Sequence, residues 1–273
     1  LVPLSDLSKG MLALRQRKPG CPVPVQSSDE MGDLARTFNR MLEDLKEMEL
    51  ARVVQASLVP QEVPAIPGYS LTLDNRSADD LGGDYVDVLP MPEDRFLLII
   101  GDVSGHGVSS ALLMAMAKAV AFEFALQKNF SPSELLNRLN SLIFHLMNRR
   151  KLMTFFAAIL DPASHTLVFS NAGHPYPLLV GSDGDIQELV LIHLPLGLMV
   201  KRRDFEERTV DFSPGSGLLL YTDGLIEAID AQNVMWGYEA LTERLPGWVN
   251  LTPLEWKERL WKSFREHHPD PSL

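Results

Sequence analysis

Two runs in this sequence are almost continuously apolar and both end on an aspartate: "FLLIIGD" closes on Asp102, and "GLLLYTDG" carries Asp223. Runs of this kind are buried on both faces, so each reads as a central strand of a sheet. A carboxylate at the end of a buried strand is costly to desolvate unless it is paired or bound to a metal. A single such aspartate reads as a turn residue or a helix cap. Two in matching context weaken that reading and favour a shared charge-compensating partner.

The segment before the first run sharpens the point. "DYVDVLP" and "RFLLIIGD" flank the turn "MPED" and form a hairpin. With "PED" as the loop, Met91 pairs with Arg95, and extending that register sets Asp84 directly across from Asp102. Directly opposed side chains lie about 4.5–5.5 Å apart, and like charges there repel. Neither "LGGDYVD" nor "IGDVSGHG" supplies a lysine or arginine to neutralise them. A shared proton or a divalent cation resolves the conflict. Asp87 is three residues from Asp84, an odd step, and faces the other side of the strand. Asp84 is therefore the choice over Asp87, and the choice depends on this register.

"GDVSGHGVSS" then leads into a long helix rich in small and apolar residues. Gly105 and Gly107 permit a tight turn, and the helix start points N–H groups and positive potential at the same region, which suits a phosphate. The pattern is neither GxGxxG nor a P-loop with its lysine, so a nucleotide-binding fold is not supported. His106 has two readings, a proton donor to a leaving group or a turn histidine satisfied by backbone. His174 in "NAGHP" likewise either touches the site or holds a strand-to-loop turn. Tyr221, Trp248, Trp256 and Trp261 are expected in packing roles.

Acidic residues number 36 against 25 basic, for a formal charge of −11. Such a surface repels phosphate backbones and argues against nucleic-acid binding. The one cysteine, Cys21, cannot form an internal disulfide and suggests an intracellular chain. No apolar run of about 18 residues is visible, so no bilayer-spanning helix is expected. The segment from about Tyr69 alternates as a strand over "YSLTLDN"; further strands are expected near 153–160, 165–171, 176–181, 204–212 and 217–222, with helices over 131–147, 237–245 and 252–266. Ser131, Pro132 and Glu134 form a helix-start capping box. Strands cluster and helices cluster, which places the chain in the α+β class.

Residues 1–60 have a different texture. Met31, Leu34, Phe38, Met41, Leu45 and Met48 step by alternating threes and fours, the seam of a coiled coil, and Leu4, Leu7, Met11 and Leu14 do the same in a shorter helix. A parallel dimer forming a four-helix bundle buries both seams; a helical hairpin packed on the rest of the chain is the other solution. Pro3, "DEMGDL" from Asp29 and "FNRM" from Phe38 resemble a HAMP module over roughly residues 1–50. The resemblance implies a membrane-spanning helix before Leu1 and a homodimer through these helices. The chain is then the cytoplasmic output portion of a membrane receptor, with residues 51–66 as a linker helix and 67–273 as the output domain.

"GGDYVD" at 82–87, "IGDVSGHG" at 100–107, "NAGHP" at 171–175, "PLGL" at 195–198 and "LLLYTDGLIEA" at 218–228 follow one another as in the SpoIIE/RsbU-type phosphatases, the bacterial branch of the PPM (type 2C) Ser/Thr protein phosphatases. The stretch "VVQASLVPQEVPAIPGY" is similar to the segment that leads into that domain. The resemblance implies an α-β-β-α sandwich of two antiparallel sheets with two Mn²⁺ or Mg²⁺ ions between them. Carried over by motif, Asp102 bridges both ions, the backbone carbonyl of Val103 and Asp84 serve one, directly or through water, and Asp223 serves the other. The implied reaction is metal-assisted hydrolysis with no phosphoenzyme. The implied substrate is a phosphoserine or phosphothreonine on an anti-sigma-factor antagonist, a STAS domain.

One departure stands out. This branch ends on an Asp-Asp-x-Thr motif in a last strand, and the sequence reaches "HHPDPSL" without it. Asp270, followed by Pro271, does not substitute for it. The expectation is a weakened metal site in the chain as it stands. Two alternatives follow: a non-catalytic signalling module of the same fold that acts by binding partners, or a different binuclear metallohydrolase. Oxygen-only candidate ligands argue against the latter.

Overall fold

The computed structural model describes residues 2–15, 22–58, 60, 62–75, 82–199 and 205–268. Cys21 and Asp270 lie outside the described residues. The chain divides into two compact units, Leu1–Ala56 and Ser57–Leu273.

The first unit is a helical hairpin of α1 (Val2–Arg15) and α2, which runs unbroken from Glu30 to Leu58. Asp29 starts α2: its carboxylate accepts from the N–H groups of Met31 at 3.0 Å and Gly32 at 3.2 Å, satisfying donors that the helix cannot. The side chain of Asn39 holds the connector, accepting from Val23 N–H at 2.7 Å and donating to its carbonyl at 2.8 Å. Leu7, Val23, Ala35, Phe38 and Leu42 form the core of this hairpin. The expected seam is only partly used within it. Phe38 is buried, whereas Leu34, Met41 and Leu45 stay exposed, as do Leu4 and Met11. A 3.5-residue seam and a hairpin contact select different faces of one helix, and here the hairpin takes Ala35 and Leu42.

The second unit is a four-layer α-β-β-α sandwich. One sheet has five antiparallel strands: β1 (Tyr85–Pro90), β2 (Phe96–Val103), β3 (Met153–Asp161), β4 (Thr166–Ala172) and β7 (Arg208–Asp211), in the order β1-β2-β3-β4-β7. The other has β5 (Leu178–Val180), β6 (Ile186–Glu188) and β8 (Gly217–Leu219), in the order β6-β5-β8. Alternation along the large sheet sends Leu97, Ile99, Phe155 and Ala157 to one side and Leu98, Ile100, Phe156 and Ala158 to the other. The first set packs under α3 (Val108–Ala125) and α4 (Pro132–Met147). The second meets Leu179, Leu218 and Leu220 of the small sheet. The outer face of the small sheet, Leu178 and Val180, is covered by Trp236, Leu241, Leu245, Trp248, Trp256 and Leu260, carried on or beside α6 (Gly237–Arg244) and α7 (Pro253–His267). The Trp256 ring rests against the backbone of β8: a Cβ added to Gly217 meets it at 2.5 Å.

Several expectations need correction. "YSLTLDN" does not become a strand; an isolated bridge joins Ile66 to Tyr69, and 70–75 run on without a ladder. Its alternation records a half-buried extended chain, since Leu73 packs on the inter-sheet core while Leu71 is exposed. β6 and the short helix α5 (Asp223–Ile226) were not expected, because three or four residues carry no readable period. The helix α3 is long and apolar enough, by length and composition alone, to cross a membrane, contrary to the expectation that no such segment is visible. Leu113, Met114, Ala117 and Ala121 instead bury one face of it on the large sheet. The capping box that starts α4 is present, with the Ser131 side chain on Glu134 N–H and the Glu134 carboxylate on Ser131 N–H.

Candidate active site

The hairpin forms in the register that the tight loop dictates. Tyr85 pairs with Gly101 and Pro90 with Phe96, and Met91 N–H donates to the Arg95 carbonyl at 2.8 Å. One step beyond the Tyr85–Gly101 pair, Asp84 stands opposite Asp102, and their carboxyl groups are hydrogen-bonded to each other. Both lie in line with the residues that face the second sheet. From that sheet the chain leaves β8 through Leu220, Tyr221 and Thr222 and opens α5 on Asp223. The Thr222 side chain hydrogen-bonds Asp84, and the charge of Asp223 acts on both Asp84 and Asp102. All three aspartates line a cavity of about 880 Å³ between the sheets, which the 70–75 segment, Trp256 and Trp261 also border.

The electrostatics follow from crowding. Burial, and then the charge of Asp223, push the Asp84 carboxyl up from its ordinary value to about 6, against the hydrogen bonds from Thr222 and Asp102. Burial, followed by the charges of Asp84 and Asp223, pushes Asp102 up to about 7, against the N–H of Val103. The pair thus shares a proton, as close carboxylates do when no cation separates them. Among the described residues no lysine or arginine forms an ion pair with any of the three. Asp87 contrasts sharply: it faces the helices, is 4% exposed, and takes an ion pair from Lys118 on α3 at 2.7 Å and a hydrogen bond from Tyr85.

The loop after β2 is held in place. Lys151, from the turn before β3, donates to the Ser104 carbonyl at 2.7 Å and to Ser110 Oγ at 2.8 Å, and Ser110 Oγ donates to the Gly105 carbonyl at 2.9 Å. Gly105 and Gly107 both have positive φ, 72° and 92°, which glycine alone adopts without strain. His106 between them is exposed and borders the cavity. Gly83 has no room for a side chain: a Cβ there falls 2.5 Å from the Val103 carbonyl and 2.9 Å from Asp102 Oδ1. The backbone therefore closes directly on the two groups that the sequence singled out. His174 is buried away from the cavity wall; its Nδ1 is 2.9 Å from Thr154 Oγ1 and its Nε2 is 3.1 Å from the Tyr221 carbonyl. Tyr221, Trp248 and Trp256 are core residues, as expected.

Sequence reasoning missed Thr222, Lys151 and Thr154. Thr222 was within reach, as the neighbour of Asp223. Lys151 carries no local signal, because its partners lie more than 40 positions away. Thr154 depends on the β2–β3 register, in which it is the Cα partner of Asp102.

The donor set has the chemistry of a hard-cation site. Its side chains are all carboxylates, which suit hard cations such as Mg²⁺ or Mn²⁺. Among the described residues no three His, Cys, Asp or Glu side chains gather around a single point. The three aspartates interact without forming a closed cage, which leaves room for water in the remaining coordination places. The uncompensated charge and the Gly83 cradle beside Asp102 and Val103 fit cation binding.

The family profile described as Stage II sporulation protein E (SpoIIE) matches residues 92–271, and that for the HAMP domain matches residues 1–47. The chain is also 30% identical over 188 residues to phosphoserine phosphatase RsbP of Bacillus subtilis (strain 168), covering 67% of this chain and 45% of RsbP. The chain belongs to the SpoIIE family. It spans about half the length of the curated relatives it matches. The SpoIIE match begins after Asp84, so that residue rests on the hairpin geometry, whereas Asp102, Val103 and Asp223 lie within the match. The PP2C fold is shown by the SiaA-PP2C domain of Pseudomonas aeruginosa, with a TM-score of 0.71 at 19% identity, over 85% of this chain and 93% of that one. A further neighbour, RsbX, was solved in complex with magnesium; it has a TM-score of 0.53 at 16% identity, over 71% of this chain and 84% of its own.

Proposed function

We propose that this SpoIIE-family chain is a metal-dependent phosphoprotein phosphatase acting on phosphoserine or phosphothreonine. The observation that carries the reading is the trio Asp84, Asp102 and Asp223, three carboxylates lining one cavity with no ion-pair partner among the described residues. Asp102, which feels the charge of both others, would serve two cations; Asp84 and the Val103 carbonyl would serve one of them, and Asp223 the other. Two Mn²⁺ or Mg²⁺ ions bound there supply Lewis-acid activation of water and phosphate. The residues themselves do the positioning. Gly83 closes the backbone onto Asp102, Thr222 orients Asp84, and Lys151 fixes the glycine loop beside the start of α3, where backbone N–H groups suit phosphate oxygens. His106, exposed at the cavity rim, would deliver a proton to the departing oxygen.

The substrate we assign is a phosphorylated STAS-domain anti-sigma-factor antagonist, and the setting is the cytoplasmic side of a membrane receptor. The named activity of RsbP supports the phosphoserine, the HAMP match supports the receptor setting, and the STAS-domain carrier rests on the family resemblance. Homodimerisation through the HAMP helices is supported by Leu4, Met11, Leu34, Met41 and Leu45, which the hairpin leaves exposed. The formal charge of −11 speaks against a nucleic-acid partner.

The test is a Mn²⁺ titration by calorimetry, with hydrolysis of p-nitrophenyl phosphate and of a phosphoserine STAS domain followed in parallel. Saturable Mn²⁺ uptake, lost in Asp102→Asn together with hydrolysis, is the expected result. A folded wild-type protein that takes up no Mn²⁺ and still binds the STAS domain would instead make it a non-catalytic binding module. Sedimentation over a range of concentrations checks the dimer, and Leu34→Glu with Met41→Glu should shift it toward monomer.

A further inference from the structure

We infer that His174 is a positioning residue, an imidazole strut that fixes the carriers of Asp102 and Asp223 relative to each other across the two sheets. The inference rests on the phosphatase reading above. It starts from what the ring touches. On one side is Thr154, which lies directly across the β2–β3 ladder from Asp102. On the other is the Tyr221 carbonyl, one residue before Thr222, the hydrogen-bond partner of Asp84, and two before Asp223. One side chain therefore ties the large sheet, at the position facing one carboxylate, to the segment that delivers the other.

The chemistry of the partners fixes the tautomer. A carbonyl only accepts, so Nε2 carries the hydrogen and donates to Tyr221. Nδ1 is then the acceptor and takes the hydroxyl hydrogen of Thr154. Burial supports this assignment by pushing the imidazole down to about 4, against the Tyr221 carbonyl, so the ring stays neutral. The backbone of His174 is clamped as firmly as its ring. Asn171 accepts from its N–H at 2.8 Å and donates to its carbonyl at 2.9 Å. Gly173 makes the turn at φ +70°, with Pro195 2.9 Å from where its Cβ would stand. A ring that is 2% exposed, with both nitrogens engaged and both backbone groups held, has little freedom to follow a displaced partner. Removing it leaves a half-buried hydroxyl and a buried carbonyl without this partner, and the two carriers lose their direct link. The strut thus sets a distance that no single strand ladder sets, because Asp102 lies in one sheet and Asp223 follows a strand of the other.

The full chain is compared as wild type, His174→Ala, Thr154→Val, Thr154→Ser and Asp102→Asn. Mn²⁺ affinity is read by calorimetry, melting temperature without metal, and kcat and KM on p-nitrophenyl phosphate. Residues that orient metal ligands change affinity by about 10–100-fold when replaced. Thr154→Val should remain folded yet bind Mn²⁺ about tenfold more weakly, with kcat lowered and KM little changed, and Thr154→Ser should restore both. Nitrogen-detected NMR of the metal-free protein should show Nε2–H and a bare Nδ1 from pH 5.5 to 8. If His174→Ala fails to fold, Thr154→Val alone decides. Wild-type Mn²⁺ affinity in a folded Thr154→Val, or an Nδ1–H tautomer, overturns the strut while Asp102→Asn still abolishes uptake. Undiminished uptake in Asp102→Asn overturns the metal-site reading itself, and the strut falls with it.

Discussion

Asp84 and Asp87 sit three residues apart in the same run, on opposite faces of an extended chain, and the fold treats them in opposite ways. Asp87 points at the helices and finds Lys118 at 2.7 Å and the Tyr85 hydroxyl at 3.3 Å. Asp84 points at the second sheet and finds Asp102, Thr222 and the charge of Asp223. Two faces of one strand thus hold a neutralised carboxylate and an uncompensated one. A buried charge that serves packing is matched from within the chain; one left among like charges is matched by something from outside. The difference sets a neutralised aspartate apart from a candidate ligand without reference to any relative.

The largest effect that can break this contrast is Asp102→Ala. Hydrolysis should fall by about 10²–10³-fold or more, since the residue serves both proposed cation positions. The metal-free protein should melt at the same temperature or higher, because one of three repelling carboxylates is gone. Calorimetric melting with parallel phosphatase assays reads both, and near-normal turnover would sink the assignment. On the opposite face, Lys118→Met should leave Mn²⁺ affinity almost unchanged while lowering stability by about 3 kcal/mol in urea unfolding, because Asp87 then remains buried without its cation. A loss of metal affinity larger than the loss of stability would show that the two faces are not independent.

A smaller effect lies in pH. The carboxyls of Asp84 and Asp102 are raised to about 6 and about 7 in the folded chain and return to about 3.8 when it unfolds. The folded state therefore holds protons that the unfolded state releases. The stabilisation from this pair is fully present below about pH 4 and is lost as pH rises through 6 to 7. Urea unfolding of metal-free protein should show that decline, and Asp102→Asn should flatten it. Mn²⁺ competes with the same protons, so its affinity should be weaker at pH 6 than at pH 8. A pH-independent affinity would contradict the shared proton.

Much of this was legible in the sequence because the decisive elements are local. A three-residue loop fixes the β1–β2 register, and the register fixes which aspartates meet. The apolar runs before Asp102 and Asp223 announce buried strands by composition alone. Contacts across long loops left no such trace: Thr154 and His174 are 20 positions apart, and His174 and Tyr221 are 47. The alternation in "YSLTLDN" was misleading because a half-buried extended chain and a paired strand share one period. In α3, Lys118 and Glu123 hid a helix whose average is still strongly apolar.

The strands that lead to the three carboxylates are not paired alike. Asp84 immediately precedes β1 and Asp102 lies in β2, and β2 is laddered on both sides by β1 and β3. Asp223 follows β8, three residues long and, among the described residues, paired on one side only, with β5. Backbone amides around 217–223 should therefore exchange with solvent sooner than those of 96–103 in metal-free protein. On the proposed ligand assignment, adding Mn²⁺ should slow that exchange most around 217–223, the end of the site whose strand has one laddered edge.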